Sequence, residues 1–165
     1  MVVIGCIADT HDHMDAIEAA VKRFNSEKVA LVLHAGDYVS PFVTKPFEKL
    51  KAKLIGVFGN NEAEKELIKN RFEEIGAEIR GKLADLTVEN RRIAIYHGEN
   101  NLLLDIIIRS KLFDVVVTGH THWPKIEKID GVLVVNPGEA CGWLTGKKTI
   151  ALIDLNKLEA EIIEL

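Results

Sequence analysis

Short runs of aliphatic and β-branched residues alternate with stretches of helical periodicity through the first half of the chain. Continuous apolar runs are typical of strands buried on both faces, and apolar residues at helical spacing follow each of them. These patterns predict strands at 2–7, 29–33 and 52–58, and helices at 14–24, 41–50 and 62–75. Asp12 is the predicted N-cap of the first helix. The alternation of strands with helices predicts a parallel sheet built from right-handed crossovers.

The second half of the chain is dominated by predicted strands. Residues 83–89 and 91–96 flank an Asn-Arg turn and predict a hairpin, which is followed by a helix at 102–110. Further strands are predicted at 114–118, 125–129, 132–136, 149–155 and 159–163. The pairs Asp130-Gly131 and Asn156-Lys157 are turn signals between them. We therefore expect an α/β fold of two packed mixed β-sheets flanked by helices. Since no repeat or linker interrupts the pattern, we expect a single domain over residues 1–165.

Composition narrows the class of protein further. Hydrophobic residues make up 47% of the 165 positions and charged residues 28%, which is typical of a globular chain. Lys plus Arg number 21 against 25 Asp plus Glu, so the net charge of −4 disfavours a broad nucleic-acid-binding surface. We expect no membrane span, because one needs about 18 or more consecutive apolar residues. The N-terminus lacks a basic region typical of a signal peptide, and two cysteines fit a reducing compartment, so we expect a cytoplasmic protein.

Polar side chains follow five of the predicted strands at the point where each strand ends. The segments are Asp9-Thr10-His11, Gly36-Asp37, Gly59-Asn60-Asn61, His97-Gly98 and Gly119-His120-Thr121-His122. Ligands of parallel α/β sheets bind at the carboxyl ends of the strands. We therefore expect seven side chains to meet at one edge: Asp9, His11, Asp37, Asn60, His97, His120 and His122.

The chemistry of these seven side chains predicts a metal centre. We expect Asp9-x-His11 and His120-x-His122 to be extended, so that alternate side chains share a face, roughly 6–7 Å apart along the chain. Imidazole and carboxylate ligands suit Mn, Fe, Zn or Ni, and no cysteine occupies any of these positions. Because seven ligands exceed the needs of one tetrahedral zinc ion, two ions are the natural number.

The five motifs, in this order, resemble the signature of the calcineurin-like metallophosphoesterases, and their spacing is similar to that of the small phosphodiesterase branch. The resemblance covers nearly the whole chain, including Asn136-Pro137-Gly138. It implies a four-layer α/β/β/α sandwich. It also implies roles: the first ion is held by Asp9, His11 and His122, and the second by Asn60, His97 and His120, with Asp37 bridging the two.

The function implied by the resemblance is a two-metal phosphoesterase, in the first instance a phosphodiesterase that acts on a small phosphate ester. A metal-bridging hydroxide would attack phosphorus in line with the leaving oxygen. The expected cofactors are two divalent ions, Mn²⁺ first, with Fe, Ni or Zn as alternatives. A different hypothesis is a non-catalytic, metal-binding scaffold for protein interaction, because a relative of this fold serves as a retromer subunit. A module with one structural zinc is disfavoured, since such sites usually rely on cysteine.

One position departs from the family pattern. Many relatives carry a histidine directly after the motif asparagine, where it is thought to assist the leaving group, and here that residue is Asn61. An amide donates a hydrogen bond but cannot donate a proton as an acid. We therefore group Asn61 with the catalytic candidates Asp37, Asn60 and His97, and hypothesise a preference for diesters or activated esters. His13 is an alternative acid, although its position fits either the pocket or solvent.

The remaining candidate residues receive structural or open interpretations. His34 ends a strand and is predicted to be a hydrogen-bonded structural histidine. Cys6 is predicted to be a small hydrophobe inside a strand, and Cys141 to be unreactive. Trp143 and Leu144 lie in a glycine-rich segment and are compatible with an apolar wall of the site, a homodimer contact or core packing.

Overall fold

The computed structural model describes residues 2–165. Strands and helices occur in the predicted alternation along the first half, and strands dominate the second. The helices are α1 (Met14–Glu27), α2 (Thr44–Phe47), α3 (Lys65–Glu74) and α4 (Asn101–Arg109). The strands are β1 (Val3–Ile7), β2 (Leu31–His34), β3 (Lys53–Gly56), β4 (Glu78–Ile79), β5 (Leu83–Val88), β6 (Arg91–Tyr96), β7 (Val115–Val117), β8 (Lys125–Ile129), β9 (Val132–Asn136), β10 (Thr149–Asp154) and β11 (Glu159–Glu164).

The strands described within residues 2–165 form two mixed sheets. The first has the order β11-β10-β1-β2-β3-β4, in which β1 to β4 are parallel and the hairpin β10-β11 is antiparallel. The second has the order β5-β6-β7-β9-β8, in which β6, β7 and β9 are parallel. Because both sheets contain a parallel block, each presents a set of carboxyl strand ends that can carry ligands.

Three apolar layers hold the sheets and helices together. Alternate residues of both sheets, such as Cys6, Val117 and Ile153, face each other and form the layer between the sheets. The intervening residues of the first sheet pack against α1, α2 and α3, and those of the second sheet pack against α4. Side chains alternate between the faces of a strand, so continuous apolar runs such as Val115–Val117 serve two layers at once. The predicted α/β/β/α sandwich is confirmed.

Several predicted elements differ in detail from those observed. The predicted helix 41–50 is a 3₁₀ turn at Pro41–Val43 followed by the short helix α2, and β4 was not predicted. Helix α3 begins at Lys65 rather than at 62. The hairpin turn is formed by Glu89 and Asn90, both in the left-handed region, rather than by an Asn-Arg pair. A pair of left-handed residues suits the twist of a two-residue hairpin.

The N-cap of α1 is also not the one predicted. His13 takes that position, and its Nδ1 accepts a hydrogen bond from the backbone of Ala16 at 3.3 Å. The carboxylate of Asp12 instead accepts hydrogen bonds from the backbone and the hydroxyl of Ser40, at 3.0 and 2.7 Å. Asp12 therefore ties the loop after β1 to the loop after β2, and both loops carry predicted ligands.

Candidate metal centre

The predicted ligands lie at the carboxyl ends of the parallel strands, but on both sheets rather than on the edge of one. Asp9 and His11 follow β1, Asp37 follows β2 and Asn60 follows β3, all in the first sheet. The second sheet supplies the remaining three after β6 and β7: His97, His120 and His122. The packing of the sheets brings the two sets together, since atoms of Asp9 and His97 belong to one cluster.

The backbone of the ligand loops is not extended, contrary to the prediction for Asp9-x-His11 and His120-x-His122. Asp9, His11, His120 and His122 have φ angles of 50°, 38°, 67° and 64°, and Asp37 has 61°. Left-handed conformations cost energy in residues other than glycine, and they gather where the surrounding structure enforces them. These turns, and not the alternation of an extended strand, aim the side chains at a common point.

The first cluster consists of Asp9, His11 and His122. Oδ1 of Asp9 lies 3.7 Å from Nε2 of His11 and 3.5 Å from Nε2 of His122, and the two imidazole rings stack with centroids 5.1 Å apart. Oδ2 of Asp9 accepts a hydrogen bond from the backbone of His120 at 3.1 Å, which fixes the buried carboxylate. One carboxylate oxygen and two imidazole nitrogens thus converge within 4.8 Å of one another.

Asp37 lies between the two clusters. Its Oδ1 accepts hydrogen bonds from the backbone nitrogens of Asn60 and Asn61, at 2.8 and 3.0 Å. Its Oδ2 faces Nε2 of His11 at 3.5 Å and Nε2 of His97 at 3.3 Å. Burial raises the pKa of Asp37, but the contacts with His97 and Asn61 outweigh burial and hold that pKa well below its usual range. The ionised form of the carboxylate is therefore favoured, and it points one oxygen at both clusters.

The second cluster is built around the side chain of Asn60. Its Oδ1 lies 3.1 Å from Nε2 of His97 and 3.0 Å from Nδ1 of His120. On the other side of its ring, Nδ1 of His97 donates to the backbone carbonyl of Ala35 at 2.7 Å. A carbonyl only accepts, so Nδ1 carries a proton and Nε2 is the nitrogen directed at Asn60 and Asp37. Burial lowers the pKa of His97, but the contact with Asp37 outweighs burial and raises that pKa overall.

Two buried atoms test whether this site fits metal ions. Oδ1 of Asp9 and Nε2 of His11 have no hydrogen-bond partner among residues 2–165, although neither is exposed to solvent. Buried polar atoms are almost always paired, and these two point at each other and at His122. A mixed set of nitrogen and oxygen donors around such unpaired atoms suits a divalent transition-metal ion. The donor atoms of this site therefore fit the divalent metal ions that the sequence predicts.

Glu139 is a buried residue of the site that sequence reasoning missed. It follows β9, the third parallel strand of the second sheet, and its side chain is fully buried. Its Oε2 lies 2.7 Å from Nδ1 of His122, and its carboxylate also accepts hydrogen bonds from Thr145 and from the backbone of Leu144. Burial raises the pKa of Glu139, but the hydrogen bonds from His122, Thr145 and Leu144 lower it overall, to about 2. A charged residue three positions after the end of β9 was the available signal.

His34 is the structural histidine that was predicted. It is fully buried, its Nδ1 accepts a hydrogen bond from the backbone of Gly36 at 3.1 Å, and its ring packs against that of Tyr38, tilted by 31° with centroids 4.0 Å apart. Its Nε2 lies 3.3 Å from the hydroxyl of Thr10, which donates to the backbone carbonyl of Asp37 at 3.4 Å. His34 therefore supports the loops that carry ligands without pointing into either cluster.

The segment around Trp143 forms part of the surface next to the first cluster. The side chain of Trp143 is 63% exposed and that of Leu144 is 72% exposed, which excludes core packing for both. The ring of His13 packs on Trp143 with centroids 4.9 Å apart. His13 thus lies half-buried between the start of α1 and this segment, rather than wholly in the pocket or in solvent.

The two cysteines lie outside the predicted ligand set. Cys6 is buried between the sheets, and burial raises its pKa. Cys141 is also buried; burial is the main reason that its pKa rises, to about 12, and Glu139 accepts a hydrogen bond from its thiol at 3.3 Å. Thiols with raised pKa are poor nucleophiles, in agreement with the predicted lack of reactivity.

Among the helices of residues 2–165, none has the length and apolarity that crossing a membrane requires.

Comparisons with known proteins agree with the fold and with the family resemblance. The chain is 43% identical to a phosphodiesterase of Methanocaldococcus jannaschii, with 98% of each chain covered. It is 33% identical to a probable metallophosphoesterase of Methanothermobacter thermautotrophicus, over 98% of this chain and 91% of the relative. The solved structure of an archaeal phosphodiesterase superposes with a TM-score of 0.95 at 42% identity, over 99% of this chain and 100% of the other.

A more distant similarity concerns the fold alone. Vps29 of Entamoeba histolytica, solved in complex with Zn²⁺, superposes with a TM-score of 0.72 at 18% identity, over 99% of both chains.

Residues 2–158 match the calcineurin-like phosphoesterase superfamily domain, which confirms the resemblance found in the sequence motifs. The chain therefore belongs to the calcineurin-like phosphoesterase superfamily.

Proposed function

We propose that this chain is a phosphodiesterase that binds two divalent metal ions at the candidate centre. Membership of the superfamily makes it a hydrolase of phosphate esters that uses divalent metal ions. The finer assignment to diesters is supported by the phosphodiesterase of M. jannaschii, which covers the whole chain at high identity. The observation that carries the two-ion proposal is the position of Asp37, whose Oδ2 faces a histidine of each cluster.

The proposed ligand sets follow the two clusters. Asp9, His11 and His122 would hold one ion, and Asn60, His97 and His120 the other, with Asp37 shared between them. When bound, two such ions polarise the phosphate ester and lower the pKa of water. Mn²⁺ is our first expectation for a site of mixed nitrogen and oxygen donors, with Fe, Ni or Zn as alternatives.

The chain's own residues keep this site rigid before any ligand arrives. Backbone nitrogens of Asn60 and Asn61 hold Oδ1 of Asp37, so Oδ2 keeps one direction. The carbonyl of Ala35 fixes the tautomer of His97. A site whose donors are already oriented needs little rearrangement during catalysis. Such preorganisation is the main source of electrostatic stabilisation of a transition state.

The side chain of Asn61 supports the preference for diesters. Its Nδ2 donates a hydrogen bond to Oδ2 of Asp37 at 2.7 Å, so the amide is used to hold a proposed ligand. It has no proton to give to a leaving group. Aryl leaving groups depart without protonation, whereas alkyl leaving groups need an acid. We expect the protein to hydrolyse an aryl phosphodiester faster than an alkyl monoester.

The proposal is tested by measuring metal content and hydrolysis of an aryl phosphodiester together. The purified protein is stripped with chelator, reloaded with Mn²⁺ and assayed as wild type, Asp37→Ala and His97→Ala. Asp105→Asn is the matched control, because Asp105 is an exposed carboxylate paired with Arg109 on α4. We expect two ions per chain and activity in the wild type and the control, and a loss of at least about 100-fold in both site variants.

Two other results would contradict the proposal. A chain that binds Mn²⁺ but hydrolyses no phosphoester would favour the non-catalytic scaffold, and full activity in Asp37→Ala would refute the assignment of the site.

Comparable turnover of an alkyl monoester and an aryl diester would refute the role given to Asn61. His13→Ala tests the alternative acid: an unchanged pH–rate profile removes His13 from that role.

The remaining expectations stay proposals: one domain over residues 1–165, a cytoplasmic location, a small-molecule phosphate ester as substrate without a broad nucleic-acid surface, and a homodimer. The exposed side chains of Trp143 and Leu144 are compatible with either a wall of the site or a dimer contact. Sedimentation of the wild type beside Leu144→Ser separates the two, since only a dimer contact makes the variant lighter in solution.

A further inference from the structure

We propose that Glu139 is a positioning residue: it orients His122 as a metal ligand through Nε2 and is itself held in place by hydrogen bonds from the surface segment 142–145. This inference rests on the proposed function, because it concerns the first ion of the proposed pair. Among residues 2–165, the carboxylate of Glu139 accepts hydrogen bonds from one predicted ligand, His122, so its effect passes through that residue. Its other partners are Cys141, Leu144 and Thr145. Its role is therefore distinct from the seven predicted ligands.

The hydrogen bonds of Glu139 determine which nitrogen of His122 faces the centre. Oε2 of Glu139 lies 2.7 Å from Nδ1 of His122, while Nε2 of the same ring lies 3.5 Å from the unpaired Oδ1 of Asp9. A buried carboxylate accepts, so Nδ1 carries a proton, and in the neutral ring Nε2 is then the nitrogen that holds the lone pair. Metal-bound histidines commonly have such a carboxylate or carbonyl on the second nitrogen, which fixes the ring and raises its basicity.

Glu139 is itself held too firmly to act as a ligand. Atoms of His122, Glu139 and Cys141 lie close enough to form a possible metal-binding group. However, Oε1 accepts from the backbone of Leu144 at 2.9 Å and from the backbone and hydroxyl of Thr145. Oε2 accepts from His122, Leu144 and Cys141. An ion at this place would have to break several of these bonds, so the geometry favours a positioning role over direct ligation.

The same carboxylate joins the metal centre to the surface. The backbone nitrogens of Leu144 and Thr145 are fixed by Glu139, and the neighbouring Trp143 is the exposed ring that packs on His13. The backbone nitrogen of Cys141 also donates to the carbonyl of Asp9 at 3.1 Å. His122 and the backbone of the segment 142–145 therefore share one buried carboxylate, and several hydrogen bonds from the segment hold that carboxylate in place behind the ring of His122.

The first experiment uses the wild-type protein and needs no variant. In metal-free protein at pH 8, where imidazole is ordinarily neutral, ¹⁵N NMR of the histidine side chains reports which ring nitrogen of His122 is protonated. We expect the Nδ1-protonated tautomer to dominate. An Nε2-protonated ring in the wild type would overturn the proposal, whatever the activity of the protein.

The second experiment compares Glu139→Gln with Thr145→Val. Both variants weaken the hydrogen bonds around position 139, but only Glu139→Gln removes the charged acceptor of His122, because Thr145 contacts the opposite oxygen. Titration calorimetry with Mn²⁺ is expected to show the tightest site weakened by about 10- to 100-fold in Glu139→Gln and unchanged in Thr145→Val. The NMR spectrum of Glu139→Gln should show both tautomers of His122.

The outcomes separate this proposal from the one on which it rests. Wild-type protein that binds no divalent ion refutes the metal centre and with it the role of Glu139. Wild-type protein that binds ions, together with a Glu139→Gln variant of equal affinity and unchanged tautomer, refutes the positioning role alone. If Glu139→Gln only lowers thermal stability, and its folded fraction binds Mn²⁺ as the wild type does, the residue is structural and the proposal is wrong.

Discussion

Gly59 lets the chain wrap around the carboxylate of Asp37, and replacing it by alanine should damage the site more than the fold. A Cβ at position 59 would overlap Oδ1 of Asp37 and would lie 2.7 Å from the backbone nitrogen of Asp37. Rotation of the Asp37 side chain relieves the first clash but not the second, because the second involves backbone. Ordinary contact begins at 3.4 Å, so the two segments must separate by about 0.7 Å.

This displacement sets the expected magnitude. Misplacement of a catalytic group by about 1 Å costs on the order of 100-fold in rate, so Gly59→Ala should lose about 30- to 100-fold in kcat/KM, or about 2–3 kcal/mol. Overpacking should lower the free energy of unfolding by about 1–3 kcal/mol. The assay is hydrolysis of an aryl phosphodiester at saturating Mn²⁺, beside guanidinium unfolding of the metal-free protein.

Gly76→Ala is the matched control for this prediction. An added Cβ at Gly76 meets nothing within 4 Å, but its φ of +80° strains any other residue by about 1–2 kcal/mol. Both variants should therefore unfold more easily, and only Gly59→Ala should lose activity. If Gly59→Ala keeps the kcat/KM of the wild type, or if Gly76→Ala loses as much activity as Gly59→Ala, the steric argument about Asp37 is wrong.

Three further properties follow from buried groups of the structure. Burial, reinforced by His97, lowers the pKa of His34 well below its ordinary value, so only the unfolded chain takes up a proton at this residue as pH falls through about 6.5. The free energy of unfolding should therefore decline by up to about 1.4 kcal/mol per pH unit. In urea unfolding of the metal-free proteins between pH 7.5 and 5, His34→Gln should show a shallower decline than the wild type. Equal slopes would contradict a neutral, buried His34. Cys6 and Cys141, both buried, should react with a thiol reagent only after denaturation, and rapid modification of the native protein would refute this expectation. Removal of metal by a chelator should lower Tm, because Mn²⁺ that binds only the folded protein adds about 2.7 kcal/mol of stability at 100 times its Kd. An unchanged Tm would show that the folded protein does not bind Mn²⁺ in preference to the unfolded chain.

The strands, their order along the chain and the family could be predicted because their causes are local in the sequence. Continuous apolar runs indicate strands covered on both faces, as Val115–Val117 shows by serving two layers. The motifs around Asp9, Asp37 and His97 lie at strand ends, where the chain must turn and where ligands of parallel sheets bind. Such features can be predicted from the sequence because they depend on residues only a few positions apart.

Other features depended on contacts between distant segments and could not be predicted. The N-cap of α1 is His13 because Asp12 finds Ser40 after β2. The helix predicted at 41–50 breaks into a 3₁₀ turn and the short helix α2. In each case a partner more than twenty residues away, or packing against another layer, overrides the local preference.

The sequence alone determined the types of the candidate ligands and the order in which the strands deliver them, because residue chemistry and periodicity are written along the chain. Only the tertiary structure decided how those ligands meet. It places Oδ2 of Asp37 between His11 and His97, aims Asp9 and His122 by left-handed turns, and buries Glu139 behind His122. These relations arise when two sheets pack face to face, and the distances between atoms on different sheets are fixed by that packing rather than by spacing in the sequence.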